Sequence, residues 1–293
     1  MRKVIFSIYI DIPESKLDNP AGFDWKTGKQ ETTTKSQMVK DQLAANADYL
    51  TKVQTDYARS IGADYYLRGA DEEYKAFCTK FQSDISEYDI INFYKHWLMN
   101  QYANSYDIVA YIDFDVIPNT TDSIFDAHDP NKFAVAEQNN EAFWGKNCKA
   151  SEYNTCIRNP ASKYWNCHAM LVDSNLDPDN DVFNTAIMVG TQKLIRKLGY
   201  FNDFSNTLRL MYALIHDDTS MYPIQIQRIF GYDNETMFSY KQRVNNVPID
   251  YMSDLWHDRL TGAHQPINPD SKLYHVIHKR FDLVRNKLKG FNL

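Results

Sequence analysis

The chain has 293 residues, of which 43% are hydrophobic, and this is enough to bury a sizeable core in one large α/β domain or two small ones. Its 38 acidic and 32 basic residues give a formal charge of −6, which argues against a general nucleic-acid-binding protein because such proteins usually carry a basic excess. An anionic ligand must therefore be met locally, by a metal ion or by a few cationic side chains.

The hydrophobic run nearest the start covers residues 4–12 and is interrupted by Ser7 and Asp11. It is too short and too polar to span a bilayer, and it has no small-residue cleavage site of the kind that ends a signal peptide. The sequence therefore predicts a soluble, cytoplasmic protein without a transmembrane segment.

The first part of the chain alternates between strand and helix patterns. β-Branched and aromatic residues predict a buried strand at 4–10, and apolar residues at helical spacing predict a helix at 37–61. A second strand is expected at 63–67, another helix at 90–102, and a strand buried on both faces at 108–112. This strand, helix, strand order is the opening of a nucleotide-binding α/β unit.

The second part of the chain is less regular. Residues 138–180 show little periodicity and are interpreted as mostly loop. The sequence has no repeat, long charge block or linker that would force two domains. The remaining elements are expected as strands at 133–136, 182–190 and 273–278 and as helices at 191–201 and 206–216, before a basic tail at 279–289.

Two aspartates, Asp113 and Asp115, directly follow the apolar strand predicted at 108–112. Ligands of open α/β sheets bind at the carboxyl ends of the strands, where a turn can bring two carboxylates to one ion. Hard cations such as Mn²⁺ and Mg²⁺ favour oxygen ligands and leave positions open for substrate phosphate. The pair predicts a metal site that neutralises a diphosphate leaving group, although Asp-x-Asp is also found at ordinary solvated strand ends.

The surroundings of this pair resemble the GT-A glycosyltransferases, including viral and galactosyl- or mannosyltransferase-like members. The segment Tyr106–Pro118 is similar to their strand and D-x-D signature. The helix around Lys95 resembles the family's helix that carries a basic residue facing the nucleotide. The segment Phe183–Met188 is similar to the strand that lines the sugar pocket, with Asn184 as the pocket residue and Ala186 in place of the usual glycine.

The resemblance also implies a third metal ligand near the end of the chain. A late histidine supplies this ligand in many members of the family; His278 is the first choice here and His275 the alternate. The implied site therefore consists of Asp113, Asp115 and His278, holding Mn²⁺ or Mg²⁺.

The expected architecture is a single α/β domain of the GT-A fold over residues 1–293, with a mixed, mainly parallel central sheet flanked by helices. Residues 1–118 are expected to form the half that binds the nucleotide-sugar. Residues 119–293 are expected to form the acceptor-facing half and to contain the C-terminal metal-ligand segment.

Four further residues are candidates for binding the nucleotide-sugar. Tyr9 could stack on the base, and Asp11 closes the first strand, where GT-A members place residues against the base and ribose. Arg68 is a candidate contact to the base or phosphate, and Lys279 to the diphosphate. Three of them have an ordinary alternative, because Tyr9 could be a core tyrosine, Arg68 a surface arginine and Lys279 part of a solvated tail.

Asp217 and Asp218 follow an apolar helix and resemble the acidic segment that faces the acceptor in such enzymes. In an inverting enzyme one of them, preferably Asp218, would deprotonate the acceptor hydroxyl. In a retaining enzyme a polar group here would stabilise the oxocarbenium-like centre. A helix N-cap is an equally good interpretation of the segment.

The resulting hypothesis is a metal-dependent glycosyltransferase that moves a sugar from a nucleotide-diphospho-sugar, with UDP-sugars favoured over GDP-sugars, to a hydroxyl of a glycan, glycoprotein or other glycoconjugate. Nucleotidyl transfer to a sugar phosphate is one alternative, but the loop after Ile12 lacks the glycine-rich phosphate loop usual in those enzymes. A non-catalytic carbohydrate-binding protein is another, but it would more often be all-β. The sequence leaves the donor sugar, the acceptor, the stereochemistry and the oligomeric state open.

Overall fold

A six-stranded mixed sheet forms the centre of the computed structural model. The residues that the structure describes are 1–13, 23–24, 29–30, 35–81, 87–138, 160–216, 233–260, 266–277 and 279–289. Their strands, in chain order, are β1 (Lys3–Ile8), β2 (Phe23–Asp24), β3 (Lys29–Gln30), β4 (Asp64–Arg68), β5 (Ile108–Ile112), β6 (Val116–Pro118), β7 (Phe133–Glu137), β8 (Phe183–Thr191), β9 (Ile249–Tyr251), β10 (Asp258–Arg259) and β11 (Leu273–His275).

Helices alternate with these strands, and several of them pack on the sheet. Those of the described residues are α1 (Lys35–Ser60), α2 (Glu72–Phe81), α3 (Glu87–Tyr102), α4 (Pro160–Asp173), α5 (Gln192–Leu198), α6 (Phe204–His216), α7 (Asn234–Val244) and α8 (Phe281–Lys289). In this described part of the chain, every helix is too short or too polar to cross a membrane.

The order of strands across the central sheet is β4-β1-β5-β8-β7-β9. β1 is parallel to β4 and β5, and β7 is parallel to β9, whereas β8 runs antiparallel to both of its neighbours. Parallel pairings are therefore in the majority, and the predicted mixed, mainly parallel sheet flanked by helices is confirmed.

A smaller three-stranded sheet, in the order β10-β11-β6, brings the end of the chain back to the carboxyl end of β5. β11 is antiparallel to β6, with Leu273 opposite Pro118 and His275 opposite Val116. Because β6 begins just after the turn that follows β5, this pairing places His275 next to that turn.

The sheet is buried on both faces at β5, which explains the uninterrupted apolar sequence of this strand. Val109 and Tyr111 pack into the hydrophobic cluster on one face. Ile108, Ala110 and Ile112 pack into the cluster on the other face. Successive side chains of a strand point to opposite faces, so a strand covered on both sides has no polar position until it ends.

Helix α4 corrects the prediction of loop for residues 160–173, whereas residues 139–159 lie outside the described residues. Its buried residues include Tyr164, Cys167 and Leu171, which recur at helical spacing and therefore share one face. The polar residues and histidine between them obscured this period in the sequence. Cys167 is a buried free thiol, and burial raises its pKa.

Helix α7 was also not predicted from the sequence. Asp233 is its N-cap residue, and its carboxylate accepts hydrogen bonds from the main-chain nitrogens of Glu235 at 2.7 Å and Thr236 at 3.2 Å. An aspartate before a stretch of helical spacing is a recognised start signal, so this helix was open to prediction.

Gly190 lies where β8 packs against β7. A β-carbon added there would lie 2.8 Å from Cε2 of Phe133 and 3.0 Å from Cγ1 of Ile195, and both side chains are buried. We therefore expect Gly190→Ala to lower the free energy of unfolding by about 1–3 kcal/mol, measured by urea denaturation. At Gly69 an added β-carbon meets only the carbonyl of Tyr9, at 3.6 Å. Equal stability of Gly190→Ala and Gly69→Ala would contradict this account of the packing.

Candidate active site

The chain makes a tight turn directly after β5, and this turn presents Asp113 and Asp115. The main-chain nitrogen of Val116 donates to the carbonyl of Asp113 at 3.0 Å and closes the turn. The nitrogen of Asp113 donates to the carbonyl of Ala186 on β8 at 2.7 Å, so the turn is fixed to the neighbouring strand. The hydroxyl of Tyr111, on β5, donates to Oδ1 of Asp113. The position of the first carboxylate is therefore set from three sides.

Gln54 of α1, which is completely buried, supports the same turn. Its side-chain nitrogen donates to three main-chain carbonyls of the turn, those of Asp113 at 3.2 Å, Phe114 at 3.3 Å and Val116 at 2.8 Å. Its side-chain oxygen accepts from Ser7 Oγ at 2.8 Å and from the Tyr65 hydroxyl at 2.7 Å. One amide thus links the turn to α1, β1 and β4.

His275, at the end of β11, faces both carboxylates. Its Nε2 lies 3.3 Å from Oδ2 of Asp115 and 4.0 Å from Oδ2 of Asp113. One potential ligand atom from each of these three residues lies within 4.8 Å of the other two. Across the described ranges, this is the one group of three His, Cys, Asp or Glu side chains close enough to share a metal ion.

Two lysines lie beside the carboxylates. The Nζ of Lys95, a buried residue of α3, lies 3.9 Å from Oδ1 of Asp113 and donates to the carbonyl of Thr185 at 3.2 Å. The Nζ of Lys279 contacts Oδ2 of Asp115. The site therefore places two lysine side chains beside its two carboxylates.

The pKa values of the two carboxyl groups shift in opposite directions. Burial raises the pKa of Asp113; Lys95 offsets part of this rise, and the charge of Asp115 adds to it. Burial also opposes ionisation of Asp115, but Lys279 and His275 outweigh it and hold the pKa of Asp115 below its usual range. At least one carboxylate of the pair is thus firmly ionised, as a cation site requires.

A polar cavity of about 230 Å³ opens beside Asp113 and His275. Lys95 and Asn184, both predicted to contact the donor, lie in its wall. The side-chain oxygen of Asn184 accepts from the main-chain nitrogen of Ala186 at 3.0 Å, which fixes the side chain against its strand. The remaining lining residues are Asn92, Lys163, Asp233, Asn234, Glu235 and Ile277.

Four of these lining residues belong to a buried polar cluster that sequence reasoning missed. Lys163 of α4 pairs with Glu235 of α7 and lies 3.8 Å from Asp233. Glu235 accepts from the main-chain nitrogen of Thr185 at 2.8 Å, and Asn234 donates to the hydroxyl of Thr185 at 2.9 Å. The cluster ties two helices to β8 beside the cavity, and it was missed because neither helix was predicted.

Tyr9 and Asp11 follow the end of β1, and the ring of Tyr9 lies against the same turn. The ring of Tyr9 stacks on Phe114 with 4.8 Å between the ring centres and an interplanar angle of 17°. Burial raises the pKa of Tyr9, and the charge of Asp11 adds to that rise. Asp11 itself is exposed and forms an ion pair of 2.6 Å with Lys40 of α1. One ring, that of Phe114, therefore separates Tyr9 from the candidate metal ligands.

Arg68 is held in place by two carboxylates. Its Nη2 lies 2.7 Å from Asp71 and 2.6 Å from Glu73, and its Nη1 donates to the hydroxyl of Tyr102 at 3.2 Å. These contacts take up most of the donors of the guanidinium. We therefore leave Arg68 out of the site proposed below.

Three predicted site residues, Asp217, Asp218 and His278, lie outside the described residues. Their assignments stay predictions. Of the two histidines considered as the third metal ligand, His275 is described, and it faces Asp113 and Asp115. His275 therefore takes the place of His278 in the site proposed below.

No protein-family model and no curated protein matches this sequence. Among solved structures, the chain is similar to a glycosyltransferase involved in the glycosylation of the major capsid of PBCV-1, with 11% identity, a TM-score of 0.44, and 98% of this chain and 100% of that chain covered. It is similar to an active-site mutant of LgtC, with 11% identity, a TM-score of 0.45, and coverage of 97% and 95%. It is also similar to mouse xyloside xylosyltransferase 1, with 8% identity, a TM-score of 0.46, and coverage of 94% and 98%.

The three converging side chains fit a hard divalent cation. Two carboxylates and one imidazole are donors that Mn²⁺ accepts, and Mg²⁺ favours the carboxylate oxygens. The side chain of Asp113 is 28% exposed and lies in the cavity wall, whereas Asp115 is buried. A cation held by Asp113, Asp115 and His275 would therefore border the cavity and leave coordination positions for an anionic group.

Proposed function

We propose that the protein is a metal-dependent glycosyltransferase that takes a sugar from a nucleotide-diphospho-sugar, preferably a UDP-sugar, and transfers it to a hydroxyl of a glycan or glycoconjugate. The observation that carries the proposal is the convergence of Asp113, Asp115 and His275 at the carboxyl end of a buried strand, where Asp113 and His275 line a polar cavity. Open α/β sheets bind their ligands at this edge.

Asp113, Asp115 and His275 hold Mn²⁺ or Mg²⁺ in this proposal. The cation supplies neutralisation of the negative charge on the diphosphate leaving group. Lys95 and Lys279 lie beside the same carboxylates and add two positive charges at the point where the diphosphate binds. Fixed charges in a largely buried site stabilise developing charge more strongly than they would in water.

The transferred sugar occupies the polar cavity, and Asn184 is its neighbour on β8. Tyr9 contributes a partly buried ring at the end of β1, where the nucleoside is placed, and Asp11 lies on the outer side of this region. An amide and exposed aromatic rings are the side chains that usually contact sugars and bases. Residues 1–118 thus bind most of the nucleotide, and residues 119–293 complete the sugar and acceptor side.

Activation of the acceptor is assigned to Asp218, with Asp217 as the alternate. Besides Asp113, two carboxylates among the described residues line the cavity, and both are engaged: Asp233 caps α7, and Glu235 pairs with Lys163. Their hydrogen bonds suit them to holding the cavity wall rather than to taking up a proton, because the lone pairs that a base would use are occupied.

A substitution of Lys279 tests how its positive charge affects the binding of the cation and of the diphosphate. We expect Lys279→Met to tighten the binding of Mn²⁺ to the protein alone by roughly fivefold, because a partly buried ion pair worth about 1 kcal/mol no longer competes for Asp115. The same change is expected to slow turnover by about tenfold or more, since one charge on the diphosphate is lost. Electron paramagnetic resonance of free Mn²⁺ measures the first effect, and the rate of UDP release measures the second.

The matched control is Lys272→Met, because Lys272 forms an ion pair of 2.7 Å with Asp122 away from the carboxylate pair. Neither Mn²⁺ affinity nor turnover is expected to change in this variant. If Lys279→Met behaves like the control in both assays, the assignment of Lys279 to the diphosphate is wrong.

The proposed activity is tested by screening UDP- and GDP-sugars for release of the nucleoside diphosphate with Mn²⁺. Release from a UDP-sugar is expected, and EDTA should abolish it. Thermal-shift measurements should show stabilisation by UDP only when Mn²⁺ is present. Formation of pyrophosphate from a nucleoside triphosphate and a sugar phosphate, with no release from any nucleotide-sugar, would instead identify a nucleotidyltransferase.

A further inference from the structure

His257 lies directly behind His275 and has no place in the site as proposed so far. It is 2% exposed. Its Nε2 lies 3.0 Å from Nδ1 of His275, and the two rings are stacked with 5.2 Å between their centres and an interplanar angle of 22°. A buried imidazole therefore contacts the one nitrogen of His275 that points away from the carboxylates.

The backbone holds the two rings in this arrangement. β10 and β11 are parallel neighbours, with Arg259 opposite His275. The main-chain nitrogen of Leu260 donates to the carbonyl of His275 at 2.9 Å. Because His257 lies just before β10, the same strand pairing that positions His275 also positions the ring behind it.

The hydrogen bond decides which nitrogen of His275 can bind a cation. Nε2 is the atom that faces Asp115, at 3.3 Å. A neutral imidazole binds a metal through the nitrogen that carries no proton, and the proton is then on the other nitrogen. For Nε2 to be the ligand atom, Nδ1 of His275 must carry the proton and donate it to Nε2 of His257.

We propose that His257 is a positioning residue for the metal site: its Nε2 accepts the hydrogen bond from Nδ1 of His275 and so holds His275 in the tautomer and orientation that present Nε2 to the cation. This inference rests on the proposed metal site. Histidine ligands of metals usually donate their second N–H to a carboxylate, a carbonyl or water, and here an imidazole takes that part.

The assignment also fixes the proton on His257. With Nε2 as the acceptor, its proton is on Nδ1, an atom that is buried and has no hydrogen-bond partner within the described part of the chain. An unpaired buried N–H destabilises the fold, so a residue chosen for packing alone would be apolar. The hydrogen bond with His275 explains why a histidine, and not an apolar residue, occupies this position.

The test compares two substitutions of His257. His257→Leu keeps the volume but removes the acceptor, whereas the amide oxygen of His257→Gln reaches about as far as Nε2. We expect the dissociation constant for Mn²⁺ alone, measured by electron paramagnetic resonance, to rise by about tenfold or more in His257→Leu and to stay within about threefold of the wild type in His257→Gln. Loss of affinity in both variants, or in neither, would overturn the inference.

Two controls separate this inference from the metal site and from general destabilisation. His275→Ala is expected to lose Mn²⁺ binding. If it does, and His257→Leu binds Mn²⁺ like the wild type, the metal site is supported but the positioning role of His257 is wrong. If His275→Ala binds like the wild type, the metal site itself falls. His96→Leu removes another buried imidazole, which stacks on Tyr200 at 3.9 Å, and should leave Mn²⁺ affinity unchanged.

A measurement on the unmodified protein avoids any question of folding. In a sample labelled with ¹⁵N at histidine, two-bond correlations distinguish protonated from unprotonated ring nitrogens. We expect His257 to carry its proton on Nδ1 and to have an unprotonated Nε2, before and after addition of Mg²⁺. A proton on Nε2 of His257 would reverse the hydrogen bond and contradict the inference.

Discussion

Replacing Asp115 by asparagine is expected to slow metal-dependent turnover on the order of a thousandfold, because it removes a cation ligand whose effect on the leaving group is worth several kcal/mol. Asp115 is 4% exposed and contacts both His275 and Lys279. The substitution keeps the shape of the side chain but leaves no negative charge to offset those neighbours. Release of UDP and binding of Mn²⁺ should fall together.

Asp126→Asn is the matched control, because Asp126 is 70% exposed and pairs with Lys3 on the surface. It should leave turnover and Mn²⁺ affinity at wild-type values. Near-normal turnover in Asp115→Asn at saturating Mn²⁺ would show that this carboxylate does not bind the cation.

Among the polar residues outside the site, Gln54 is the one whose replacement is expected to destabilise the fold most. Gln54→Leu leaves the turn carbonyls and the hydroxyls of Ser7 and Tyr65 without their buried partner, and each unmet group costs about 1–3 kcal/mol. We expect the free energy of unfolding to fall by roughly 3 kcal/mol or more, measured by urea denaturation. Because the turn carries Asp113, the affinity for Mn²⁺ should fall as well.

Two further variants make this prediction specific. Gln54→Glu has nearly the same shape but turns oxygens towards the turn carbonyls, so we expect it to be at least as destabilising as Gln54→Leu. Gln101→Leu changes an exposed glutamine of α3 and should have little effect. If all three variants unfold at the same urea concentration as the wild type, the amide of Gln54 does not support the turn.

The inner strands of the central sheet were predictable because they are buried on both faces. The apolar run Ile108–Ile112 contains no polar position, and its two sets of side chains pack into separate hydrophobic clusters. The polar pair Asp113 and Asp115 stands out against such a run. A strand that is solvated on one face would have hidden it among other polar residues.

The choice of the third candidate ligand depends on a contact between segments that are far apart in the sequence. His275 and His278 lie on the same short segment. The pairing of β11 with β6, which sets His275 opposite Val116, brings His275 to the turn. A shift of one residue in that register would have turned a different side chain towards the carboxylates, so the choice could not be made from spacing.

The polar cluster at the cavity could not be predicted for a related reason. Lys163 and Glu235 come from helices whose apolar positions are mixed with polar and aromatic residues, and their contact spans 72 positions of the chain. Gln54 was hidden in the same way, because its partners are main-chain carbonyls of a turn 59 to 62 residues away. Buried polar side chains of this kind are identified by their partners, and the partners are set by the fold.

The most direct test is a Mn²⁺ titration followed by electron paramagnetic resonance, with the wild type, His275→Ala and His278→Ala side by side. The proposed site predicts one Mn²⁺ per chain in the wild type, retained in His278→Ala and lost in His275→Ala. Retention of Mn²⁺ in His275→Ala, with or without its loss in His278→Ala, would contradict a site built from Asp113, Asp115 and His275.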